Sequence, residues 1–155
     1  MKRFNTAIVG ATGAVGQEFL KLIEERKFPF GELKMLASSR SAGKKIKFMG
    51  KEYTVEETTE KSFEGVKFAL FAGGAASKLF APAAVASGAV VIDNSSNFRM
   101  EPDVPLVVPE VNPQAIARHK GIIANPNCST IIMVMALKPL YNLSRIKRIV
   151  VSTYQ

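Results

Sequence analysis

The architecture of this chain follows from Thr6-Ala7-Ile8-Val9-Gly10-Ala11-Thr12-Gly13-Ala14-Val15-Gly16. The first four of these residues form a short apolar run, which predicts a buried strand, and the glycines that follow predict a tight turn. Beyond the turn, apolar residues recur on one helical face, at Val15, Phe19, Leu22 and Ile23. This helix should end before Phe28-Pro29, because the residue before a proline disfavours helical backbone. The segment therefore predicts a strand, a glycine turn and a helix in succession.

The rest of the chain continues this alternation of short apolar segments with helical ones. Further strands are predicted over residues 33–37, 68–71, 89–92, 106–108 and 122–124, a hairpin over 46–55, and a short helix over 114–120. Strands that alternate with helices favour a parallel sheet covered on both faces. We therefore expect an α/β fold with a Rossmann-like, mainly parallel sheet and helices on both faces. Open sheets of this kind bind ligands at the carboxyl ends of their strands.

The glycine turn predicts a dinucleotide site at the start of the first helix. Glycines let backbone N–H groups approach a pyrophosphate at a helix N-terminus, where the helix dipole favours negative charge. The spacing here is G-x-x-G-x-x-G, whereas the better-known fingerprint is G-x-G-x-x-G. Its position between a predicted strand and a predicted helix favours dinucleotide binding over a merely structural turn. The residues of the turn expected to contact the cofactor are Gly10, Thr12, Gly13, Ala14, Val15 and Gly16.

The end of the second predicted strand indicates which dinucleotide is bound. An Asp or Glu at this place accepts hydrogen bonds from the adenosine ribose of NAD. This chain instead has Ser38-Ser39-Arg40-Ser41. Hydroxyl groups and a guanidinium suit a 2′-phosphate, so we expect NADP as the cofactor, in contact with Ser38, Arg40 and Ser41. If the glycine turn were only structural, Arg40 would be an ordinary loop cation.

Cys128 is the candidate nucleophile. It follows Asn125-Pro126-Asn127 and opens a helical segment, where backbone N–H groups and the helix dipole favour a thiolate over a thiol. A lone cysteine is more often a small buried hydrophobe, but its place at a helix start in a nucleotide-binding fold favours a reactive thiol. Asn127 is a candidate donor to the oxyanion formed by attack of that thiolate, with a helix cap as the alternative.

Two more loops should lie at the same edge of the sheet. The polar segment Asp93-Asn94-Ser95-Ser96-Asn97-Phe98-Arg99 follows a buried strand, and Arg99 is a candidate ligand for a phosphate or carboxylate. Gly73-Gly74 follows the preceding strand, where backbone can approach the nicotinamide half of a dinucleotide, with a plain turn as the alternative. The single histidine, His119, precedes a strand, so we expect it at the opposite edge and not as a catalytic base. We predict no metal site.

The composition is that of a globular domain. The 155 residues are 47% hydrophobic and 22% charged, and 21 Lys and Arg against 13 Asp and Glu give a net charge of +8. The basic residues are scattered and lack aromatic interleaving, so we do not expect a nucleic-acid partner. No apolar run approaches the roughly 20 residues that span a bilayer, and the amino terminus lacks a secretory signal. We therefore expect a cytoplasmic protein with no membrane partner.

The carboxyl-terminal residues predict a second, incomplete unit. Residues 129–140 are apolar on nearly every side, which predicts a buried helix, and residues 146–154 predict a strand. The chain stops inside this apolar run, so we expect it to be truncated. We assign residues 1–127 to an NADP-binding domain, and 128–155 to the first helix and strand of a truncated α+β domain for catalysis and oligomerisation. The missing part would cover the apolar surface of the helix.

Together these motifs resemble the aspartate-semialdehyde dehydrogenase family. The resemblance covers essentially the whole chain and rests on the glycine turn, the two loops ending at Ser41 and Arg99, and three more segments: Val108-Pro109-Glu110-Val111-Asn112, Asn125-Pro126-Asn127-Cys128-Ser129-Thr130 and Ser152-Thr153-Tyr154-Gln155. N-acetyl-glutamyl-phosphate reductase belongs to a sister family with a similar layout. The Asn-Pro-Asn-Cys-Ser-Thr segment and the Ser-Ser-Arg-Ser loop favour the aspartate enzyme.

The resemblance implies NADPH-dependent reduction of aspartyl phosphate to aspartate semialdehyde, in lysine, methionine and threonine biosynthesis. It implies that Cys128 forms a thioester, that Arg99 binds the phosphate group and that Gln155 orients the substrate. Family members are about twice as long, and the part absent here carries the acid/base histidine and the arginine that binds the substrate carboxylate. We therefore expect a homodimer or homotetramer for the full-length form and little or no turnover by this chain alone.

One alternative belongs to a different functional class. The chain would then be a nonenzymatic NADP-binding module in which Cys128 is a core residue. The rate of alkylation distinguishes the two interpretations, because a thiolate reacts near neutral pH and a buried thiol does not.

Overall fold

The computed structural model of the chain describes residues 2–154. The strands in this range are β1 (Phe4–Val9), β2 (Phe30–Ala37), β3 (Lys45–Phe48), β4 (Lys51–Thr54), β5 (Glu56–Glu57), β6 (Phe68–Phe71), β7 (Val90–Asp93) and β8 (Ile122–Ala124). The α-helices are α1 (Ala14–Glu25), α2 (Gly74–Ala86) and α3 (Cys128–Leu143). Short 3₁₀ turns cover Ser39–Ser41, Glu60–Phe63 and Pro113–Arg118.

Six of these strands form a sheet in the order β5-β2-β1-β6-β7-β8, and every pairing in it is parallel. The chain moves outward from β1 in one direction to β2 and in the other to β6, β7 and β8. The connections therefore diverge between β1 and β6, which is where an open parallel sheet forms a ligand crevice. Strands β3 and β4 form the predicted antiparallel hairpin, with positive φ at Met49 and Gly50 in its turn.

Helices cover both faces of the sheet, as predicted. Leu20 and Ile23 of α1 pack in one core with Ile8 of β1. Ala81 of α2 packs in a second core with Ala7, the neighbour of Ile8 along β1. Successive residues of a strand point to opposite faces, so these two cores lie on opposite sides of the sheet.

The face that α1 turns to the sheet differs from the predicted one. The buried residues of α1 are Gly16, Leu20 and Ile23, whereas Val15 and Leu22 are 37% and 45% exposed. The helix is rotated because its first turn packs backbone against backbone at Gly16. A Cβ placed at Gly16 would lie 2.2 Å from the carbonyl oxygen of Gly10. Hydrophobic periodicity does not report this contact, since glycine contributes nothing to an apolar face.

The two sheet faces are covered unequally. Leu70, Ile92 and Ile123 are aligned with Ile8 across β6, β7 and β8, yet all three stay partly exposed. On the opposite face, Phe71 is fully buried. Helix α1 therefore covers mainly the β1 and β2 side of its face.

The segment after β7 departs from the predictions in two places. Residues 106–108 do not form a strand: Leu106 makes one parallel bridge with Ala124, and Val107 donates its N–H to the Ala124 carbonyl. Prolines 105 and 109 flank this segment and lack the N–H groups that a longer ladder requires. The predicted helix over 114–120 is the 3₁₀ turn Pro113–Arg118.

The carboxyl-terminal unit also departs from the predictions. Helix α3 exists and is longer than expected, but none of its described residues is buried, and Ile132 and Leu143 are 72% and 86% exposed. Residues 146–154 form no strand. A strand needs a neighbouring strand for its backbone hydrogen bonds, and no strand within residues 2–154 pairs with this segment.

Candidate functional site

Five loops meet at one edge of the sheet. They follow the carboxyl ends of β1, β2, β6, β7 and β8, which are neighbours in the sheet. Helices α1, α2 and α3 all begin at this edge, and none of them has an acidic residue in its first turn. The positive ends of three helix dipoles therefore make this edge favourable for anions.

The glycine turn between β1 and α1 leaves backbone, and no side chain, at the start of the helix. Gly10 has φ +86°, and its amide donates to the Leu36 carbonyl at 2.8 Å. A Cβ at Gly10 would lie 3.3 Å from Cβ of Ala72, so this turn lies against the loop that follows β6. Gly13 is the N-cap of α1 and has no side chain to cover the helix start. The predicted residues Thr12, Ala14 and Val15 belong to the same turn and to the first turn of α1.

Gln17 directly follows the glycine turn and is a contact residue that the sequence did not predict. Its side-chain Nε2 donates to the Ala11 carbonyl at 2.6 Å, and this contact is partly buried. The bond fastens the glycine turn to the first turns of α1. An amide directly after three spaced glycines was the available signal, but periodicity could not show that it bends back onto the turn.

The loop after β2 lies beside the glycine turn. Residues Ser39–Ser41 form a 3₁₀ turn with Ser38 as its N-cap, and the Thr12 hydroxyl donates to the Ser41 hydroxyl at 3.5 Å. Arg40 is exposed and takes part in none of the ion pairs found among residues 2–154. A guanidinium without a carboxylate partner is available to a phosphate in this loop.

The loop after β7 is anchored to the start of α2. Asp93 is fully buried and accepts hydrogen bonds from the Ser95 amide at 3.2 Å and the Ser95 hydroxyl at 2.7 Å. The Ser95 hydroxyl also lies 3.3 Å from that of buried Ser77 in α2. Asn97 donates from its side chain to the Gly74 carbonyl. The predicted Gly73-Gly74 turn is thus held against this loop, and a Cβ at Gly73 would meet open space.

Arg99 links the same loop to the turn before Cys128. Its Nε donates to the Asn125 carbonyl at 2.8 Å, and its Nη2 donates to the Asn94 carbonyl at 3.2 Å. These bonds use two of the five N–H donors of the guanidinium. The other three suit an anion such as phosphate. The structure therefore shows Arg99 joining two loops, and its contact with phosphate stays a prediction.

The nucleophile candidate lies at the start of α3. Cys128 is exposed and is the first residue of the helix, and Asn127 is its N-cap. The Asn127 side-chain oxygen accepts the Ser129 amide at 3.0 Å, so the capping alternative is present in the structure. Cys128 is not a core residue of the described chain, in contrast to the assumption of the nonenzymatic alternative.

Four other expectations concern features away from these loops. Gln155 lies outside the described residues. His119 precedes β8, at the opposite edge of the sheet, where its Nδ1 accepts the Gly121 amide at 3.1 Å. Within residues 2–154, no cluster of three or more His, Cys, Asp or Glu side chains is arranged to hold a metal ion. In the same range, no helix has the length and apolar character needed to cross a bilayer.

Comparison with known proteins identifies the family. The chain matches the family described as semialdehyde dehydrogenase, NAD binding domain, over residues 5–119. Aspartate-semialdehyde dehydrogenase of Aquifex aeolicus is 62% identical over an alignment of 156 positions that covers 98% of this chain and 46% of that protein. The crystal structure of aspartate semialdehyde dehydrogenase II from Vibrio cholerae, complexed with ASA, matches with a TM-score of 0.87 at 55% identity, covering 91% of this chain and 48% of that one.

One of the solved structures that the chain matches contains a nucleotide. Aspartate semialdehyde dehydrogenase from Candida albicans, solved with NADP, matches with a TM-score of 0.75 at 30% identity and covers 94% of this chain and 48% of that one. The chain thus spans about half the length of the relatives that it matches. The resemblance noted from the sequence and the predicted fold class are both confirmed.

Proposed function

The chain belongs to the family of semialdehyde dehydrogenase NAD-binding domains, and from this premise we propose that it is the nucleotide-binding half of an NADP-dependent aspartate-semialdehyde dehydrogenase. The observation that carries the proposal is the common position of the glycine turn and Cys128. Both follow the carboxyl ends of strands in one parallel sheet, and both lie at the start of a helix. A cofactor and a thiol on one edge are what the reduction of an acyl group requires.

NADP is the cofactor that the residues of this edge fit. The positive φ of Gly10 and the bare N-cap at Gly13 suit a pyrophosphate against the start of α1. The hydroxyls of Ser38 and Ser41 and the unpaired charge of Arg40 suit the 2′-phosphate of NADP. Gly73 and Gly74 lie where backbone can contact the nicotinamide half. When bound, the cofactor supplies a hydride to the acyl carbon.

In the proposed reaction, the thiolate of Cys128 attacks the acyl carbon of aspartyl phosphate. The new C–S bond forms as the bond from carbon to the phosphate oxygen breaks, and phosphate leaves with the electron pair. Arg99 binds the phosphate group through the guanidinium donors that its loop contacts do not use. The Asn127 amide NH₂ donates to the carbonyl oxygen as negative charge develops there, while the other end of this side chain caps α3.

The second half of the reaction releases the aldehyde. Hydride addition to the Cys128 thioester would give a tetrahedral alkoxide, the anion of a thiohemiacetal. As its carbonyl re-forms, the C–S bond breaks and the sulfur leaves with the electron pair, which releases aspartate semialdehyde and the thiolate. Gln155 is assigned to orienting the substrate. The acid/base group is not assigned within this chain, because His119 lies at the opposite edge of the sheet. We therefore propose that the 155-residue chain alone has little or no turnover.

The domain boundary is proposed on the exposure of α3. Residues 1–127 form the NADP-binding domain, and residues 128–155 begin a catalytic and oligomerisation domain. None of the described residues of α3 is buried against the sheet, although the helix is strongly apolar. Such a helix packs into another unit when one is present. The full-length enzyme is proposed to be a cytoplasmic homodimer or homotetramer that acts in lysine, methionine and threonine biosynthesis.

Formation of the acyl-enzyme tests this function without needing complete turnover. The chain is mixed with aspartyl phosphate, and its intact mass is measured with and without hydroxylamine, which cleaves thioesters. We expect an aspartyl adduct on Cys128 that hydroxylamine removes and that is absent from Cys128→Ser. N-acetyl-glutamyl phosphate should give less adduct if the aspartate assignment is correct. Tight NADPH binding with no adduct from either acyl phosphate would instead support the nonenzymatic module.

A further inference from the structure

The turn that carries Cys128 is joined to the loop after β7 by side chains for which the proposed reaction has no direct use. Asn125 lies three residues before Cys128, and its side-chain Nδ2 donates to Oδ1 of Asn94 at 3.3 Å. Asn94 follows β7, and Asn125 follows β8, the adjacent strand. This bond therefore connects two loops that are 31 residues apart in sequence.

The backbone amides of the same two residues also donate hydrogen bonds to neighbouring strands. The Asn125 amide donates to the Asp93 carbonyl at 2.8 Å, and the Asn94 amide donates to the Phe71 carbonyl at 3.0 Å. Arg99 closes the arrangement, because its guanidinium donates to the carbonyl oxygens of both Asn94 and Asn125. Both asparagines thus have their backbone position set by neighbouring strands and by one shared cation.

We propose that Asn94 and Asn125 form a positioning pair that holds the Cys128 turn at a fixed place relative to Arg99. This inference rests on the proposed function, in which Cys128 is the nucleophile and Arg99 binds the anion. Neither asparagine is assigned to contact substrate. The two asparagines act by holding the Cys128 turn and the Arg99 guanidinium in place. The distance between the Cys128 thiol and the anion site therefore stays the same when acyl phosphate binds.

Residues further along the loop that follows β7 contact helix α2, on the side assigned to the cofactor. Asn97 donates to the Gly74 carbonyl at the start of α2, and Ser95 contacts Ser77 within α2. One short loop therefore bridges the glycine turn assigned to the nicotinamide and the turn that carries the nucleophile. Loosening the Asn94 contact should affect the nucleophile side while the contacts to α2 remain.

The test compares two alkylating reagents of similar size and different charge on the 155-residue chain. Rate constants for Cys128 are measured with anionic iodoacetate and with neutral iodoacetamide, relative to glutathione. Positive charge near the thiol speeds the reaction with anionic iodoacetate more than the reaction with neutral iodoacetamide. The ratio of the two rates therefore reports how close the Arg99 guanidinium lies to the Cys128 thiol. The variants are Asn94→Ala, Asn125→Ala and the double variant, none of which changes the net charge. The matched control is Asn142→Ala, an exposed asparagine of the same helix as Cys128.

We expect each single variant to lower the iodoacetate-to-iodoacetamide ratio by about two- to tenfold, the factor that one neutral hydrogen bond is worth. The double variant should be no lower than the worse single variant, because the two side chains act through one bond. Asn142→Ala should behave as wild type. Melting temperatures are recorded in parallel, and the alkylation rates are measured at a temperature at which every variant is folded. Under that condition, a loss of stability alone leaves the ratio unchanged. If Asn94→Ala does not fold, Asn94→Ser takes its place.

Three results would count against these ideas, and they separate the two proposals. A reactive wild-type Cys128 with unchanged ratios in the asparagine variants would overturn the positioning pair alone. Additive losses in the double variant would also overturn it, because they would show that the two residues act independently. A wild-type Cys128 no more reactive than glutathione with either reagent would overturn the proposed function, and the inference that rests on it.

Discussion

Replacing Gly16 with alanine should destabilise this chain, although alanine is the better helix former. An added Cβ would lie 2.2 Å from the Gly10 carbonyl oxygen and 2.8 Å from Cα of Ala11. Both atoms belong to the backbone of the glycine turn, so no side-chain rotation relieves the contact. Either the turn or α1 has to move by about 1 Å to restore an ordinary van der Waals distance.

The size of the effect follows from two opposing contributions. Overpacking costs about 1–3 kcal/mol, and a clash with backbone should fall at the upper end of that range. Alanine in place of glycine stabilises a helix interior by about 0.5–1 kcal/mol. The net loss is therefore about 2 kcal/mol, which lowers the melting temperature of a chain of this size by about 4–8 °C.

Thermal melts followed by circular dichroism measure this loss, with Gly13→Ala as the matched control. A Cβ at Gly13 would lie 3.4 Å from the same Gly10 oxygen, which is an ordinary contact, and Gly13 has φ −84°. Gly13→Ala should thus melt within about 2 °C of wild type. NADPH binding by calorimetry should weaken in Gly16→Ala, because the displaced turn carries the pyrophosphate site. A Gly16→Ala chain that melts at or above the wild-type temperature would refute the close approach of α1 to the turn.

Three further predictions use the same chain. Arg40→Asp should weaken NADPH binding, measured by calorimetry, by about ten- to a hundredfold, which is the value of a charge-assisted hydrogen bond. NADH binding should stay nearly unchanged. If the variant and the wild type bind NADPH with equal affinity, the assigned 2′-phosphate site is contradicted. Phe71→Ala should lower the free energy of unfolding, measured in urea, by about 3–5 kcal/mol, because Phe71 is fully buried. Phe68→Ala should lower it clearly less, because Phe68, on the same strand, is only partly buried. Equal losses would show that both sheet faces are covered alike. Gln17→Ala should weaken NADPH binding by about two- to tenfold through loss of the bond to the Ala11 carbonyl, and unaltered affinity would mean that the turn holds its shape without it.

The fold was predictable because its elements are encoded locally. Short apolar runs bounded by glycines and polar loops correspond to β1, β6, β7 and β8, and strands that alternate with helices imply a parallel sheet. The rule that ligands bind at the carboxyl ends of such strands then placed the loops of the candidate site at one edge. The positions of Gly10, Arg40, Arg99 and Cys128 in the structure agree with that rule.

Contacts between distant residues were not predictable in the same way. The rotation of α1 depends on backbone packing at Gly16, and the Asn94–Asn125 bond joins residues that only the β7–β8 pairing brings together. Apolar composition predicted a buried α3, but burial also requires a surface to pack against, and none of the described residues of α3 is buried. Local sequence sets the type and order of the elements because backbone preferences and hydrophobic periodicity act over a few residues. The tertiary structure alone determines which faces meet and which loops are tied together, because those contacts depend on residues far apart in the chain.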